Sequence, residues 1–266
     1  MRWSLPRGEL LLDDSECQVW WARLEDARSW HQTLLNDVER ERLSALRQQG
    51  DRDRFTVACA LLRVAVAELL DGTPTEIQVG RSCDACGKPH GKPWLIGRPG
   101  GLELSLSHSG GRIALAVARL APVGVDVEQV RDHLDVSGLA RYALTPDERV
   151  GLAGLPSSER VPAFLTSWTR KESVLKATGA GLRVAASSFS VSAPHESPRL
   201  MEWPVDPRLV EVARLFDLRP GAGHVASLAV LGTHVRRAVE LDGSALLARH
   251  RRAASPAGGL AQPRRP

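Results

Sequence analysis

Three carboxylates and two lysines are the residues of this chain best suited to act together. Lys171, Glu172 and Lys176 lie in Trp168-Thr-Arg-Lys-Glu-Ser-Val-Leu-Lys-Ala-Thr-Gly-Ala-Gly-Leu182, and Asp126 and Glu128 lie in Gly124-Val-Asp-Val-Glu128. The 3.6-residue helical period sets Trp168, Lys171, Glu172, Leu175 and Lys176 along neighbouring ridges of one helix. The strand period of two puts Asp126 and Glu128 on one face. Carboxylates that converge beside lysines suit a hard divalent cation and a phosphate-bearing substrate.

Each pair also has a plainer reading. Asp126 and Glu128 repel one another unless a cation neutralises them, but strand ends carry solvated carboxylates, and Arg131 stands nearby in sequence. Glu172 and Lys176 have the favourable order for a helical i, i+4 ion pair, which on a surface is worth little. Apolar and small neighbours (Trp168, Val174, Leu175, Ala177, Gly179, Gly181) favour a partly covered face. Ser107-His-Ser-Gly-Gly111 reads as a turn whose hydroxyl, imidazole and N–H donors suit phosphate, although His108 alone could be a polar strand end. No G-x-S-x-G surrounds these serines. The lysine-containing run Gly87 to Pro93 lacks the P-loop pattern.

The elements that must position these groups follow from periodicity. Cys17 to Leu24 reads as a strand, Asn36 to about Arg47 as a charged helix, and Asp51 to Leu70 as a helix with Phe55, Ala58, Leu62, Ala65, Val66 and Leu69 on its apolar side. Leu102–Leu106, Arg112–Arg119 and Val123–Val127 alternate as strands, the first ending in the Ser107–Gly111 turn. Short helices are expected at Val136–Ala143 and Thr145–Leu155, the second with Thr145 as N-cap and Glu148 three residues on. A long helix is expected over Ser158–Thr178, its first turn set apart by Pro162 and its end fixed by Gly179. Strand patterns return at Ser187–Ser192, around Leu209–Phe216 and at His224–Leu231. Gly111-Arg-Ile-Ala-Leu-Ala-Val-Ala118 resembles Gly223-His-Val-Ala-Ser-Leu-Ala-Val230, suggesting two related halves that meet near residues 119–123.

Composition narrows the class. With 266 residues and 43% hydrophobic content the chain can bury a substantial core. It has no apolar run of membrane-spanning length and no signal-peptide core at its start, so a cytoplasmic protein is expected, with no membrane partner. Arg249, Arg251, Arg252, Arg264 and Arg265 account for the positive balance, and without them the formal +4 becomes −1. The basicity belongs to the tail, so nucleic acid is not the expected partner. Cys59 reads as a small core residue, whereas Cys83-Asp-Ala-Cys86, followed by His90, offers a zinc-like spacing that lacks an evident fourth ligand; reduced turn cysteines are favoured.

Taken together, Gly91-Lys92-Pro93, Ser107-His108-Ser109, Gly124-Val-Asp126-Val-Glu128 and the run W-x-x-K-E-x-x-x-K-x-x-G-x-G-L resemble the Sfp-type 4′-phosphopantetheinyl transferases, over about residues 36 to 231. The resemblance implies an α+β fold of two similar subdomains forming a pseudo-dimer, with coenzyme A and Mg²⁺ in the cleft between them. On this reading residues 1–121 form the N-terminal half, 122–240 the C-terminal half with the metal site, and 241–266 a disordered basic tail. It assigns Asp126, Glu128 and Glu172 to Mg²⁺, and sets Lys176 near the pyrophosphate with Lys171 flanking the site. Ser107 and His108 match nucleotide-side contacts, His108 toward the 3′-phosphate. Lys92 lines the adenine and phosphate pocket, and Arg54, placed by its spacing to Arg63, binds the 3′-phosphate. Arg40 and Arg42 fall where the family has further basic residues.

The implied reaction moves 4′-phosphopantetheine from coenzyme A to a serine of an apo acyl or peptidyl carrier protein and releases 3′,5′-ADP. Glu172 is the candidate general base and Lys176 the fixed positive charge. A monomer is the simplest expected state. The competing class is a module that binds coenzyme A or a carrier without transfer; the presence of all three carboxylates and Lys176 weighs against it. The choice of carrier is not written in these residues.

Overall fold

The computed structural model describes residues 12–82, 87, 91–97, 101–131 and 133–254. The motif Cys83–Cys86 with His90 lies outside the described residues. The first strand, β1, spans Glu16–Arg23. Helix α1 covers Asp37–Ala45 and α2 covers Gln49–Leu69. A two-stranded ribbon pairs β2 (Val79–Gly80) with β3 (Trp94–Leu95). Three strands follow in close succession: β4 (Leu102–Ser109), β5 (Arg112–Arg119) and β6 (Val123–Gln129). Helices α3 (Val136–Ala143), α4 (Pro146–Ala153) and α5 (Ser157–Thr178) lead to a short α6 (Leu209–Val212). The chain closes with β7 (Ala213–Asp217), β8 (His224–Leu231), β9 (Arg237–Asp242) and α7 (Gly243–Ala254).

Two sheets carry this mixed α+β fold. The first has the order β4-β5-β1-β9 and the second β6-β8-β7. In each, an antiparallel hairpin (β4–β5 or β7–β8) pairs through its inner strand with an earlier strand, β1 or β6. The two Gly-led segments that resemble each other in sequence are the inner strands β5 and β8. The alternation of each strand sorts its side chains between layers. Trp20, Ile113, Leu115 and Val117 face Val57, Leu61 and Val64 of α2. On the other face Val19, Trp21, Ala114 and Ala116 meet Val123, Val125, Leu228 and Val230 of the second sheet. Beyond it, Val174, Leu175 and Ala177 of α5 cover Leu215 and Ala229. The order of layers is therefore helix, sheet, sheet, helix.

A seam of hydroxyls joins the sheets. The Val125, Val127 and Gln129 N–H groups sit on the edge of β6 that does not pair with β8, and they donate to Ser105 Oγ (3.0 Å), Ser107 Oγ (3.3 Å) and Ser109 Oγ (3.1 Å) of β4. Side-chain oxygens thereby satisfy backbone donors that would otherwise be buried unpaired. The expected turn at Ser107–Gly111 is corrected here: β4 runs through Ser109, and Gly110, at φ +54°, makes the bend with Gly111.

Local signals placed most helices closely. Asn36 and Thr145 cap α1 and α4, each in a capping box with Glu39 and Glu148. Helix α5 ends at Gly179 in the left-handed conformation, as its sequence predicts, but it runs without a break through Pro162. The expected strand at Ser187–Ser192 reduces to a single bridge, Val191 with Leu200. The expected disordered tail from 241 is also corrected. Residues 241–254 complete β9 and form α7, whose Leu246 and Leu247 are buried in the core shared with α2. Counting the arginines obscured these apolar anchors. Among the described residues, no helix is long and apolar enough to cross a membrane.

Close approach of α5 to β6 depends on Gly124. A Cβ there would lie 2.0 Å from the Ser173 carbonyl oxygen and 2.4 Å from the Ala177 nitrogen, both backbone atoms. Gly124→Ala should therefore lower stability by at least about 2 kcal/mol, the scale of core overpacking, and push α5 off the carboxylate-bearing strand. Urea denaturation would measure it; an unchanged midpoint would show that α5 does not need this contact.

Candidate active site

Helix α5 brings Lys176 against Asp126 of β6, with Glu172 and Glu128 near enough for the charges to act on one another. Lys176 Nζ lies 2.6 Å from Asp126 Oδ1 and also donates to Ser107 Oγ and the Val125 carbonyl, each at 3.1 Å. Ser107 Oγ donates to the same Asp126 oxygen at 2.9 Å. Asp126 is buried, and among the described residues its Oδ2 has no hydrogen-bond partner. Ser109 Oγ donates to Glu128 Oε2 at 2.7 Å.

Glu172 completes the acidic group. Burial and then the neighbouring Asp126 charge raise its carboxyl above the ordinary range, with Lys176 opposing and Glu128 adding to the rise. Burial likewise raises Glu128, against the hydrogen bond from Ser109. The electrostatics couple the three carboxylates with Lys176 among them. Among the described residues, no three Asp, Glu, His or Cys side chains already stand as a formed cation cage. The donor set nonetheless fits a hard divalent cation: it is all oxygen, its charges repel, and Asp126 Oδ2 is a buried acceptor with no donor among the described residues.

A basic zone adjoins the acids at the β4–β5 bend. Arg54 of α2 donates through Nη1 to the Gly110 carbonyl at 3.0 Å and through Nη2 to Asp51 Oδ1 at 2.5 Å. His108 reaches solvent. The protein around it and then the charges of Arg54, Lys176 and Arg42 hold its imidazole below the usual histidine range. Several positive groups around a neutral imidazole suit a phosphate. Lys92, half-buried, has its ammonium lowered by burial, with Glu103 opposing.

Lys171 is a correction. The family resemblance implies that it flanks the site, but its side chain is wholly buried on another face of α5. Its Nζ lies 2.5 Å from Glu148 Oε2 and donates to the Ala186 and Phe189 carbonyls at 2.8 and 2.6 Å. An ammonium has three hydrogens, so these partners occupy it fully. Lys171 ties α5 to the α4 cap and to the loop before Val191. Its neighbours act similarly: Arg170 forks onto Asp217 at 3.0 and 2.6 Å, and Thr169 Oγ1 meets Ser227 Oγ at 3.1 Å. The part of the motif that looked catalytic is partly scaffold.

Sequence reasoning missed the roles of Ser105, Ser109 and Arg170. A signal for the serines was present: Leu104-Ser-Leu-Ser-His-Ser109 alternates hydroxyls with larger side chains, which on a strand puts Ser105, Ser107 and Ser109 on one face. A groove of about 590 Å³ lies elsewhere, lined by residues including Arg199, Leu200, Met201, Arg214, Leu215 and Arg236, and contains none of the proposed site groups.

Comparison with known proteins points to one family. Residues 122–224, which hold all three carboxylates and Lys176, match the 4′-phosphopantetheinyl transferase superfamily. Over 235 residues the chain is 29% identical to the 4′-phosphopantetheinyl transferase HetI of Nostoc sp., spanning 86% of this chain and 94% of that protein. It is 30% identical over 189 residues to a phosphopantetheinyl transferase of Thraustochytrium sp., covering 66% of this chain and 64% of the relative. It is 28% identical over 153 residues to a 4′-phosphopantetheinyl transferase of Bacillus subtilis, covering 58% and 64%. These last two alignments span just under two thirds of the relatives' lengths. Over most of its length the chain is therefore similar to 4′-phosphopantetheinyl transferases.

Proposed function

We propose that this protein transfers the 4′-phosphopantetheine group of coenzyme A to a serine hydroxyl of an apo acyl or peptidyl carrier protein, releasing 3′,5′-ADP. The observation that carries this reading is the coupled group Asp126, Glu128, Glu172 and Lys176 beside the basic zone of Arg54 and His108. A Mg²⁺ ion held by Asp126, Glu128 and Glu172 would supply charge neutralisation at the pyrophosphate.

The chain's own residues perform the remaining tasks. Arg54 and the neutral His108 hold the 3′-phosphate, and Lys92 lines the nucleotide side. Lys176 keeps a positive charge beside the pyrophosphate, where negative charge grows as the leaving group departs. The carrier serine oxygen forms its bond to the β-phosphorus while the bond from that phosphorus to the bridging oxygen breaks. The bridging oxygen leaves with the electron pair on 3′,5′-ADP. Glu172 takes the serine proton. Ser107 orients Asp126 rather than standing free for the nucleotide, since its hydroxyl hydrogen is already directed to that carboxylate.

Two subdomains, 1–121 and 122–240, related as a pseudo-dimer within a monomer, fit the arrangement that β4-β5-β1 shares with β7-β8-β6, with β9 crossing over to add a fourth strand to the first sheet. The proposed cleft lies along the β4–β6 seam. The deciding experiment incubates the protein with coenzyme A, Mg²⁺ and several apo carrier proteins and records intact masses. A gain of one phosphopantetheine, abolished by EDTA, supports the reading; coenzyme A binding without a mass gain on any carrier overturns it.

Arg54→Ala should raise the KM for coenzyme A by about tenfold or more, the value of a charge-assisted bond to phosphate, with kcat little changed. An unaltered KM in steady-state assays would remove Arg54 from the 3′-phosphate site.

A further inference from the structure

The hydroxyl seam repeats one motif twice and then leaves part of it out. Ser107 Oγ accepts the Val127 N–H and donates to Asp126; Ser109 Oγ accepts the Gln129 N–H and donates to Glu128. Ser105 Oγ accepts the Val125 N–H at 3.0 Å, and among the described residues its hydroxyl has no carboxylate partner. Ser105 therefore only joins the sheets, whereas Ser107 and Ser109 join the sheets and hold a carboxylate.

We infer that Ser109 is a positioning residue for cation binding, fixing the Glu128 carboxylate from the opposite sheet. This rests on the reading of Asp126, Glu128 and Glu172 as cation ligands. A hydroxyl has one hydrogen and a limited set of acceptor directions. With the Gln129 N–H at 3.1 Å and Glu128 Oε2 at 2.7 Å, the Ser109 hydroxyl is held from both sides. Glu128 lies near the end of β6, where its longer side chain has more torsional freedom than that of Asp126. Asp126 is also pinned by Lys176, whereas Glu128 is held by the hydrogen bond from Ser109. Restraining Glu128 before the cation arrives reduces the entropy lost on binding. Hydrogen-bonding partners of metal ligands commonly change metal affinity by about 10- to 100-fold.

The test measures Mn²⁺ uptake by the full chain, with and without coenzyme A, by the loss of the free-ion electron paramagnetic resonance signal. Ser109→Ala should raise the Mn²⁺ Kd by about 10- to 100-fold, while Ser109→Thr, which keeps the hydroxyl, restores most of the affinity. Ser105→Ala should lower the melting temperature but leave the Mn²⁺ Kd at its wild-type value. In a Glu128→Gln background, Ser109→Ala should add little further loss, because the two groups act as one unit. Should Ser109→Ala not fold, Ser109→Cys replaces it, with the same direction expected from its weaker donor. Equal Mn²⁺ affinity in wild type and the folded Ser109 variant overturns the inference. So does an equal loss in Ser105→Ala, which would mark the seam as scaffold alone. Wild-type protein that takes up no Mn²⁺, or takes it up equally after Asp126→Asn, overturns the metal reading itself and this inference with it.

Discussion

Glu172→Gln is expected to leave a folded protein whose transfer rate falls by about a thousandfold, within the span typical of losing a positioned general base. The substitution keeps size and shape. It leaves in place the contacts that hold α5: Lys176 with Asp126, Lys171 with Glu148, and Arg170 with Asp217. The lost capacity is that of taking a proton and of holding a cation. Stability gives an independent check. The folded carboxyl lies above its ordinary value of 4.5 because burial and Asp126 disfavour the charged form. Its contribution is fully present below the unfolded value and is lost as pH rises through the folded one. At neutral pH, without added metal, the variant should therefore melt at the same temperature as wild type or higher. Near-normal turnover would remove Glu172 from both proposed roles, and a marked fall in melting temperature would recast it as structural.

Lys176→Met should damage both activity and fold. Its ammonium is the ionic partner of an aspartate whose side chain is only 6% exposed, and it also binds the Val125 carbonyl and Ser107. Removing one member of a largely buried pair costs about 3–5 kcal/mol, because the other charge is left without compensation. Lys176 is itself 29% exposed, so the lower end of that range is expected here. Transfer should fall by at least about a hundredfold from loss of the fixed charge at the leaving group. Urea denaturation and intact-mass kinetics read the two effects separately. Combining Lys176→Met with Asp126→Asn should recover much of the stability and none of the transfer. A single variant as stable as wild type would mean that solvent already screens the pair.

The residues proposed to contact the chemistry were easier to read than the residues that hold them. Asp126, Glu128, Glu172 and Lys176 were legible because period and spacing place them within two elements, a strand and a helix, that each obey one local rule. The α1, α4 and α5 ends were legible from Asn36, Thr145 and Gly179 for the same reason. Lys171 was misplaced because helical periodicity gives an angle around an axis and not the identity of what packs there; Glu148 and the Ala186 and Phe189 carbonyls come from distant sequence. Ser109 was read as part of a turn because its partners on β6 depend on how two sheets meet. The final helix was hidden by the basic composition of the segment, while Leu246 and Leu247 secure its interior.

The return of β9 to lie parallel beside β1 bears on how the protein is made. Arg237 and Glu16 are paired across a separation of 221 positions, so the opening strand leaves the ribosome long before its last neighbour has been translated. The second sheet draws its three strands from residues 123–231 and can assemble before β9 emerges. Order of completion thus inverts order of synthesis: the sheet begun first is finished last, and during elongation one flank of β1 waits as an open template in the nascent chain.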